Sequence, residues 1–240
     1  MPEKVRYSDL LPYEFRTRLK AKPLAWLPLG TLEWHGEHLP LGADAIQSEG
    51  FFVRCAQTYG GIVLPPIHLG PDRAKFAPDG RQLQGMDYAE STVPNRPLDG
   101  SCYWVPPGFF AQLVEAILEQ LKRAGFKAVF ADGHGPSRRD WVANLKERSE
   151  RFDLKLLGVT QEFAGDWRNM TDHAAKNETA LVMALRPELP DLTQISPDRA
   201  VQPVGVGFGP DPRDATAAHG EECLAATHKL MARILAQAGL

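Results

Sequence analysis

The sequence predicts an α/β domain built on a parallel or mostly parallel sheet covered by helices on both faces. Three observations predict it. Short apolar stretches alternate with longer segments of helical periodicity; the short stretches are apolar throughout; and two histidine-bearing loops, residues 33–38 and 132–135, each follow such a stretch. Strands apolar along their whole length mark a sheet buried on both faces. Ligands of such sheets bind beyond the carboxyl ends of the strands.

The elements follow in order. Residues 8–20 read as a short opening helix or turn, and residues 25–32 (AWLPLGTL) as a buried strand. Residues 42–59 begin in a loop and become helical, with Ile46, Gly50, Val53 and Ala56 at helical spacing and Gly60-Gly61 as the stop. Residues 61–69 (GIVLPPIHL) form the next strand, whose prolines point to an edge or a strand end. Residues 70–107 are rich in Pro, Gly, Asp and Arg and show little periodicity. A structureless stretch of that length is usually functional, so it reads as an excursion over an active-site mouth or as part of a subunit contact.

Pro106-Pro107 suits the first turn of a helix. Phe110, Leu113, Val114, Ile117, Leu118 and Leu121 then mark one buried face, and Gly125 ends the helix. A strand is expected at 126–131, a tight loop at 132–135, a helix over 138–151, a strand at 154–159, a helix from about 177 to 185 and a last helix over 215–237. The glycines of residues 205–210 do not follow strand-then-helix spacing and read as a loop. The whole of 1–240 reads as one domain.

Composition narrows the function classes. The 27 Lys and Arg residues against 30 Asp and Glu leave a net charge of −3, which gives no global basic field for nucleic acid or an anionic membrane. No apolar stretch approaches the roughly 20 residues of a membrane span, and the first residues lack the apolar core of a signal peptide. Three cysteines are too few and too scattered for a disulfide framework or a cysteine zinc site. Cys55 and Cys223 lie within helical segments and read as packing residues, while Cys102 falls in the irregular stretch. A cytoplasmic protein is expected.

The chemistry concentrates at the two strand ends. Glu33, His35, Glu37, His38 and Asp44 fall within twelve positions. Side chains two apart on an extended chain share a face, so Glu33 and His35 point together. Imidazole with carboxylates is a donor set for zinc, manganese or iron. Asp44 has two oxygens and could bridge two ions, and His134 brings a second imidazole from the neighbouring strand end. A single histidine is more often a satisfied core or surface residue; the convergence of several features on one sheet edge favours a metal. Around residues 172–179, Asp172 or Asn177 could cap a helix and Glu178 could simply favour its dipole. The functional alternative makes Glu178 a further ligand and His173 a proton carrier. Arg138 and Arg139 follow the His134 loop and suit a substrate carboxylate.

Four motifs in order resemble the creatininase (creatinine amidohydrolase) family: PLGTLEWHGEHLPLGAD at 28–44, DGHG at 132–135, HAAKNETALVMALRPELPDL at 173–192 and DPRDATAAHGEE at 211–222. The resemblance implies a three-layer α/β/α sandwich and a metal-dependent amidohydrolase site. It implies one or two divalent metals (Zn, Mn or Fe) per chain, with Glu33, His35, Asp44 and His134 as ligands and Asp44 as the bridge. It further implies cyclic or formyl amides of small metabolites as substrates, and a homo-oligomer, often a hexamer. The sequence departs from the family pattern at three places. Pro136 stands where the best-known branch has a metal-ligating Glu, Ser137 where an Asn is common, and Trp34 where a Gln is frequent. Glu178 is the candidate to supply the missing carboxylate.

The expected reaction is metal-assisted hydrolysis of a C–N amide bond in a small polar substrate. His173, Glu178 or Glu37 would move the proton, and Trp34, His38, Ser137 and Arg138 would surround the substrate. Two alternatives differ in class: other metal-dependent chemistry on a sugar-like or carboxylated metabolite, and a metabolite-binding protein without catalysis. A substrate panel separates the first, and binding without turnover the second. In an oligomer, Trp104, Phe109 and Phe110 are candidates for burial against a neighbour.

Overall fold

The computed structural model of the chain describes residues 3–163 and 172–240. Among these, four parallel strands form the central sheet in the order β2-β1-β5-β6. They are β1 (Leu24–Leu29), β2 (Ile62–Val63), β5 (Ala128–Gly133) and β6 (Lys155–Leu157). β1 and β5 pair along their whole length, from Leu24 opposite Ala128 to Leu29 opposite Gly133.

Alternation of side chains along these strands builds the two cores. Leu24, Trp26, Ala128 and Phe130 face one way and pack on α2 (Ala43–Tyr59), α6 (Lys176–Leu185) and α7 (Ala217–Gln237). Ala25, Leu27, Leu29, Val129 and Ala131 face the other way, against α1 (Pro12–Ala21), α3 (Pro107–Ala124) and Trp141 of α4 (Gly135–Ala143). Helices therefore lie on both faces of the sheet, as the α/β reading expects. Trp26 anchors the first core; its ring lies 5.4 Å from Phe52 and 5.7 Å from Phe130, and Nε1 donates to the Gly60 carbonyl at 2.9 Å.

Several boundaries move, each for a local reason. β1 stops at Leu29 rather than at residue 32, because the chain then turns back and the Glu33 N–H bonds the Leu41 carbonyl. β2 shrinks to Ile62–Val63: Pro65 and Pro66 have no N–H to offer, and contact resumes only at a single Leu29–Ile67 bridge. β5 runs two residues beyond the expected end, so Asp132 and Gly133 belong to the strand. The strand expected at 154–159 keeps only Lys155–Leu157.

The helix expected over 138–151 is two, α4 and α5 (Leu145–Phe152). The Asn144 side chain takes the Asp140 carbonyl at 2.8 Å at the break. α4 also starts earlier, since Pro136 fits its first turn. On α2 the buried stripe is Ala45, Ser48, Phe52, Cys55 and Ala56, with Phe51 beside it. Ile46, Gly50 and Val53 are only half-buried, because the two phenylalanines claim the centre of the packing.

The 70–107 excursion is less irregular than expected. It holds an antiparallel ribbon, β3 (Ala74–Phe76) and β4 (Gln82–Gln84), followed by a 3-10 turn over Gly85–Tyr88. The Asp87 carboxylate pins that turn by accepting the N–H groups of Gln84 and Leu98, both at 2.8 Å. Strands of three residues are too short to show a period. Phe110 is fully buried in its own chain among the α3 core residues, whereas Phe109 is exposed. Among the described residues, no helix is long and apolar enough to cross a membrane.

Candidate metal centre

The carboxyl ends of β1 and β5 lie side by side, and the β1 end leads into the Glu33–His35 segment. Gly133 makes the approach possible: its φ is +146°, and a Cβ there would stand 1.8 Å from the Leu29 carbonyl oxygen. The next N–H, that of His134, donates to the same carbonyl at 2.6 Å. This fixes the His134 ring over the end of the sheet.

Three triads of potential ligand side chains converge there, one of them Glu33, His35 and His173. Glu33, Asp44 and His134 bring their ligand atoms together, as do His35, Asp44 and Glu178, and Asp44 is common to both. His134 Nδ1 lies 3.1 Å from Glu33 Oε1 and 3.1 Å from Asp44 Oδ2. His35 Nε2 lies 3.6 Å from Asp44 Oδ2, 3.7 Å from Glu178 Oε2 and 4.0 Å from Glu33 Oε1. Asp44 sits in the first turn of α2, Glu178 in the first turn of α6. Two helix N-termini thus aim carboxylates at two strand ends.

Backbone contacts orient the imidazoles. His134 Nε2 donates to the Pro71 carbonyl at 3.0 Å, and His35 Nδ1 donates to the Glu33 carbonyl at 3.1 Å. Each ring therefore turns its other nitrogen toward the carboxylates, the arrangement typical of metal-binding histidines. His35 Nε2 is buried and, among the described residues, has no hydrogen-bond partner. A buried nitrogen without a partner, facing three carboxylates, fits a cation between them.

The electrostatics agree. Burial alone would push the Glu33 carboxyl up, but the neighbouring His134 outweighs it and holds Glu33 well below the usual carboxylate range. Burial would lower His134, yet the Glu33 and Asp44 carboxylates raise it well above the usual histidine range. Burial pushes Glu178 up to about 8, against the opposing pull of His35. His134 and Glu178 thus both favour a bound proton.

A cavity of about 430 Å³ opens over the cluster, lined by Glu33, Asp44, His134, His173 and Glu178 among others. A larger groove of about 970 Å³ lies against α3, but no carboxylate lines it; the smaller cavity is where the chemistry is. The His173 ring stacks on His35 with centroids 4.5 Å apart, and Nε2 donates to the Trp34 carbonyl at 3.1 Å. Its Nδ1 is then the unprotonated nitrogen. Burial and the charge of His35 lower His173 to about 4. The residue that follows, Ala174, has a φ of +54°, strain of the kind found at functional sites.

The structure separates the other expected residues. Glu37 is exposed on its turn and does not line the cavity, so it is not placed to act as a base. Trp34 packs between Met86 and Leu98 and bonds the Val204 carbonyl, beside the cavity rather than in its wall. His38 Nε2 pairs with Thr179 Oγ1 at 2.9 Å and braces α6 from behind. Ser137 is fully buried against Gly70, whose missing Cβ leaves the room. None of these three lines the cavity. Of the expected substrate residues only Arg138 lines the cavity, 3.7 Å from Asp132. Asp172 caps α6 from outside the helix by accepting the N–H groups of Asn177 and Glu178, at 2.7 and 3.0 Å.

Sequence reasoning missed Asp72, Arg73, Met86 and Phe208, which also line the cavity. Asp72, Arg73 and Phe208 come from loops and Met86 from the Gly85–Tyr88 turn, none of them within a motif. Asp72 hydrogen-bonds Glu33, and burial together with the Glu33 charge pushes it up to about 7.

The chain resembles known proteins in sequence and in fold. A family model described as creatininase, creatinine amidohydrolase, matches residues 8–235. A creatinine amidohydrolase of Pseudomonas putida is 24% identical over 218 residues, covering 81% of this chain and 77% of that protein. A crystal structure of creatinine amidohydrolase superposes with a TM-score of 0.74 at 19% identity, covering 98% of both chains. So does a mutant creatininase of Zn-Zn type, with the same coverage and a TM-score of 0.74 at 19% identity. A structure described as creatininase Mn gives 0.73 at 20%, again over 98% of both chains.

Proposed function

The chain belongs to the creatininase family, and from that premise we propose that it is a metal-dependent amidohydrolase cleaving a cyclic or formyl C–N amide bond in a small polar metabolite. The observation that carries the reading is the pair of triads sharing Asp44, with the buried His35 Nε2 left without a partner. Glu33, Asp44 and His134 would hold one divalent ion; His35, Asp44 and Glu178 a second. Glu178 then takes the place of the family carboxylate that Pro136 cannot provide. Zinc, manganese and iron all suit this donor set, and two of the similar structures are described by zinc and manganese. Such an ion supplies Lewis acidity, activating water and polarising a carbonyl.

The chain's own groups do the rest. His173 lines the cavity and keeps Nδ1 as a proton acceptor, its ring fixed by the Trp34 carbonyl and by stacking on His35. A neutral imidazole so held can take a proton from water and deliver it to the departing nitrogen. Asp72, beside Glu33 in the cavity wall, is a second group placed to hold a proton. Burial of the cluster strengthens each of these interactions by excluding water. A mutant creatininase of similar fold is described in complex with creatine, which supports a small-molecule substrate here. Cytoplasmic location and assembly into a homo-oligomer, up to a hexamer, belong to the same reading.

The test is elemental analysis of purified protein beside a hydrolysis panel of cyclic amides and formamides. One to two equivalents of a divalent metal with turnover of a panel member is the expected result. Protein that binds no metal after reconstitution would overturn the reading.

A further inference from the structure

The cavity has an acidic floor and a basic rim. Arg73, Arg138 and Arg139 all line it, along with Met86 and Phe208. Arg138 has a carboxylate at hand, Asp132 at 3.7 Å. Arg73 and Arg139 are exposed and, among the described residues, form no ion pair with a carboxylate. Neither is adrift. The Arg73 guanidinium lies over the Tyr88 ring, 5.4 Å from its centroid, and Arg139 Nη1 stands 3.6 Å from where a Gly135 Cβ would be. Two chain segments far apart in sequence, the 70–107 excursion and α4, thus bring guanidinium groups to one mouth.

Phe208 supplies an apolar wall. It is 84% exposed, lines the cavity, and has a φ of +29°. Its ring stands 6.4 Å from that of His173, which also lines the cavity, so it places apolar surface beside the charged groups.

We propose that the substrate carries an oxyanion, carboxylate or phosphate, which Arg73 and Arg139 hold at the rim while its amide lies over the metal centre and its body against Phe208. The guanidinium fork suits either anion. A positive rim above an acidic floor also orients the ligand: its charged end is drawn outward and its neutral amide end is left at the cluster. A cavity of about 430 Å³ restricts this to a small metabolite. The substrate class is therefore amides bearing a negative charge, not neutral or cationic ones.

The inference rests on the amide-hydrolysis reading, and the experiment separates the two. Purified protein is titrated with N-formylglycine and N-formylglycinamide, which differ in charge at one end, and binding is read by ligand-observed NMR. The expected result is a preference for the carboxylate of at least about tenfold, the scale of charge-assisted hydrogen bonds. The preference should fall to near unity in the double variant R73Q/R139Q, with circular dichroism and affinity for N-formylglycinamide unchanged. Acetate and inorganic phosphate as competitors then tell which anion the rim prefers. Equal affinities, a preference that survives the double substitution, or no binding of N-formylglycine, acetate or phosphate would each overturn the proposal. Charge preference without hydrolysis of any amide would leave the anion site and remove the chemistry; equal hydrolysis of both formamides would do the reverse.

Discussion

Oδ2 of Asp44 lies 3.1 Å from Nδ1 of His134. The same oxygen is 3.6 Å from His35 Nε2, so one carboxylate serves both triads while Glu33–His134 and Glu178 each serve one. The asymmetry gives a prediction. Asp44→Ala should lose metal from both positions. Glu178→Ala should keep the ion held by Glu33 and His134 and lose the other. Mass-spectrometric metal content of the two variants measures this. An Asp44→Ala protein with full metal content, or a Glu178→Ala protein with none lost, would refute the shared-ligand assignment.

His173 is predicted to move protons without binding metal. His173→Gln keeps the donor to the Trp34 carbonyl but cannot accept a proton at an imidazole nitrogen. Turnover of whichever amide proves to be hydrolysed should fall by about 10² to 10⁴-fold, the usual contribution of a positioned acid–base group. Metal content should stay at the level of the unaltered protein. Loss of metal in the variant would move His173 into the ligand set, where its proximity to Glu33 and His35 makes it a rival candidate.

The strand-end geometry depends on Gly133. A methyl group there would meet the Leu29 carbonyl oxygen at 1.8 Å, on a backbone with φ of +146°. Gly133→Ala should therefore destabilise the protein by at least about 2 kcal/mol, from backbone strain and the forced separation of β1 and β5. It should also weaken metal retention, since His134 is the next residue. Thermal unfolding beside metal analysis checks both; a variant with unchanged melting temperature would show that the strand ends can open freely.

How much of this was legible beforehand follows from what kind of signal each residue left. The Glu33-x-His35 spacing, Asp44 and His134 sit in compact motifs at strand ends, and the structure brings their ligand atoms together. Glu178 was readable either as a helix-dipole residue or as a ligand; its carboxylate does both, with Oε2 accepting the Ala174 N–H at 2.7 Å while facing His35. Asp72 and Arg73 left no signal, because what places them is a hairpin whose strands are three residues long. His38 and Ser137 lie outside the cavity because adjacency in a motif is not adjacency in space. On a tight turn, neighbours in sequence point to different partners: His38 to Thr179, Ser137 to Gly70.

The same proton–metal competition sets the pH behaviour. In the metal-free protein His134 is raised well above its ordinary value of 6.5. The stabilisation it gives is complete below that ordinary value and is lost as the pH rises through the folded-state one. Glu178, raised from 4.5 to about 8, favours the fold when protonated, so it too costs stability as the pH climbs from 4.5 toward 8. Both signs agree: the melting temperature of the metal-free protein should fall as the pH rises from about 6.5 through about 8. A divalent ion must displace the same protons, so its binding should release them and tighten as the pH rises. Zinc added at about a hundredfold over its dissociation constant stabilises by about 2.7 kcal/mol, which for a chain of this size is about 5–10 °C. At fixed zinc the increment should therefore be larger at pH 8 than at pH 6. Calorimetric titration in buffers of different ionisation enthalpy should count at least one proton released per chain. A zinc increment that shrinks with rising pH, or binding without proton release, would mean that the ion does not enter between His134, Asp44 and Glu178.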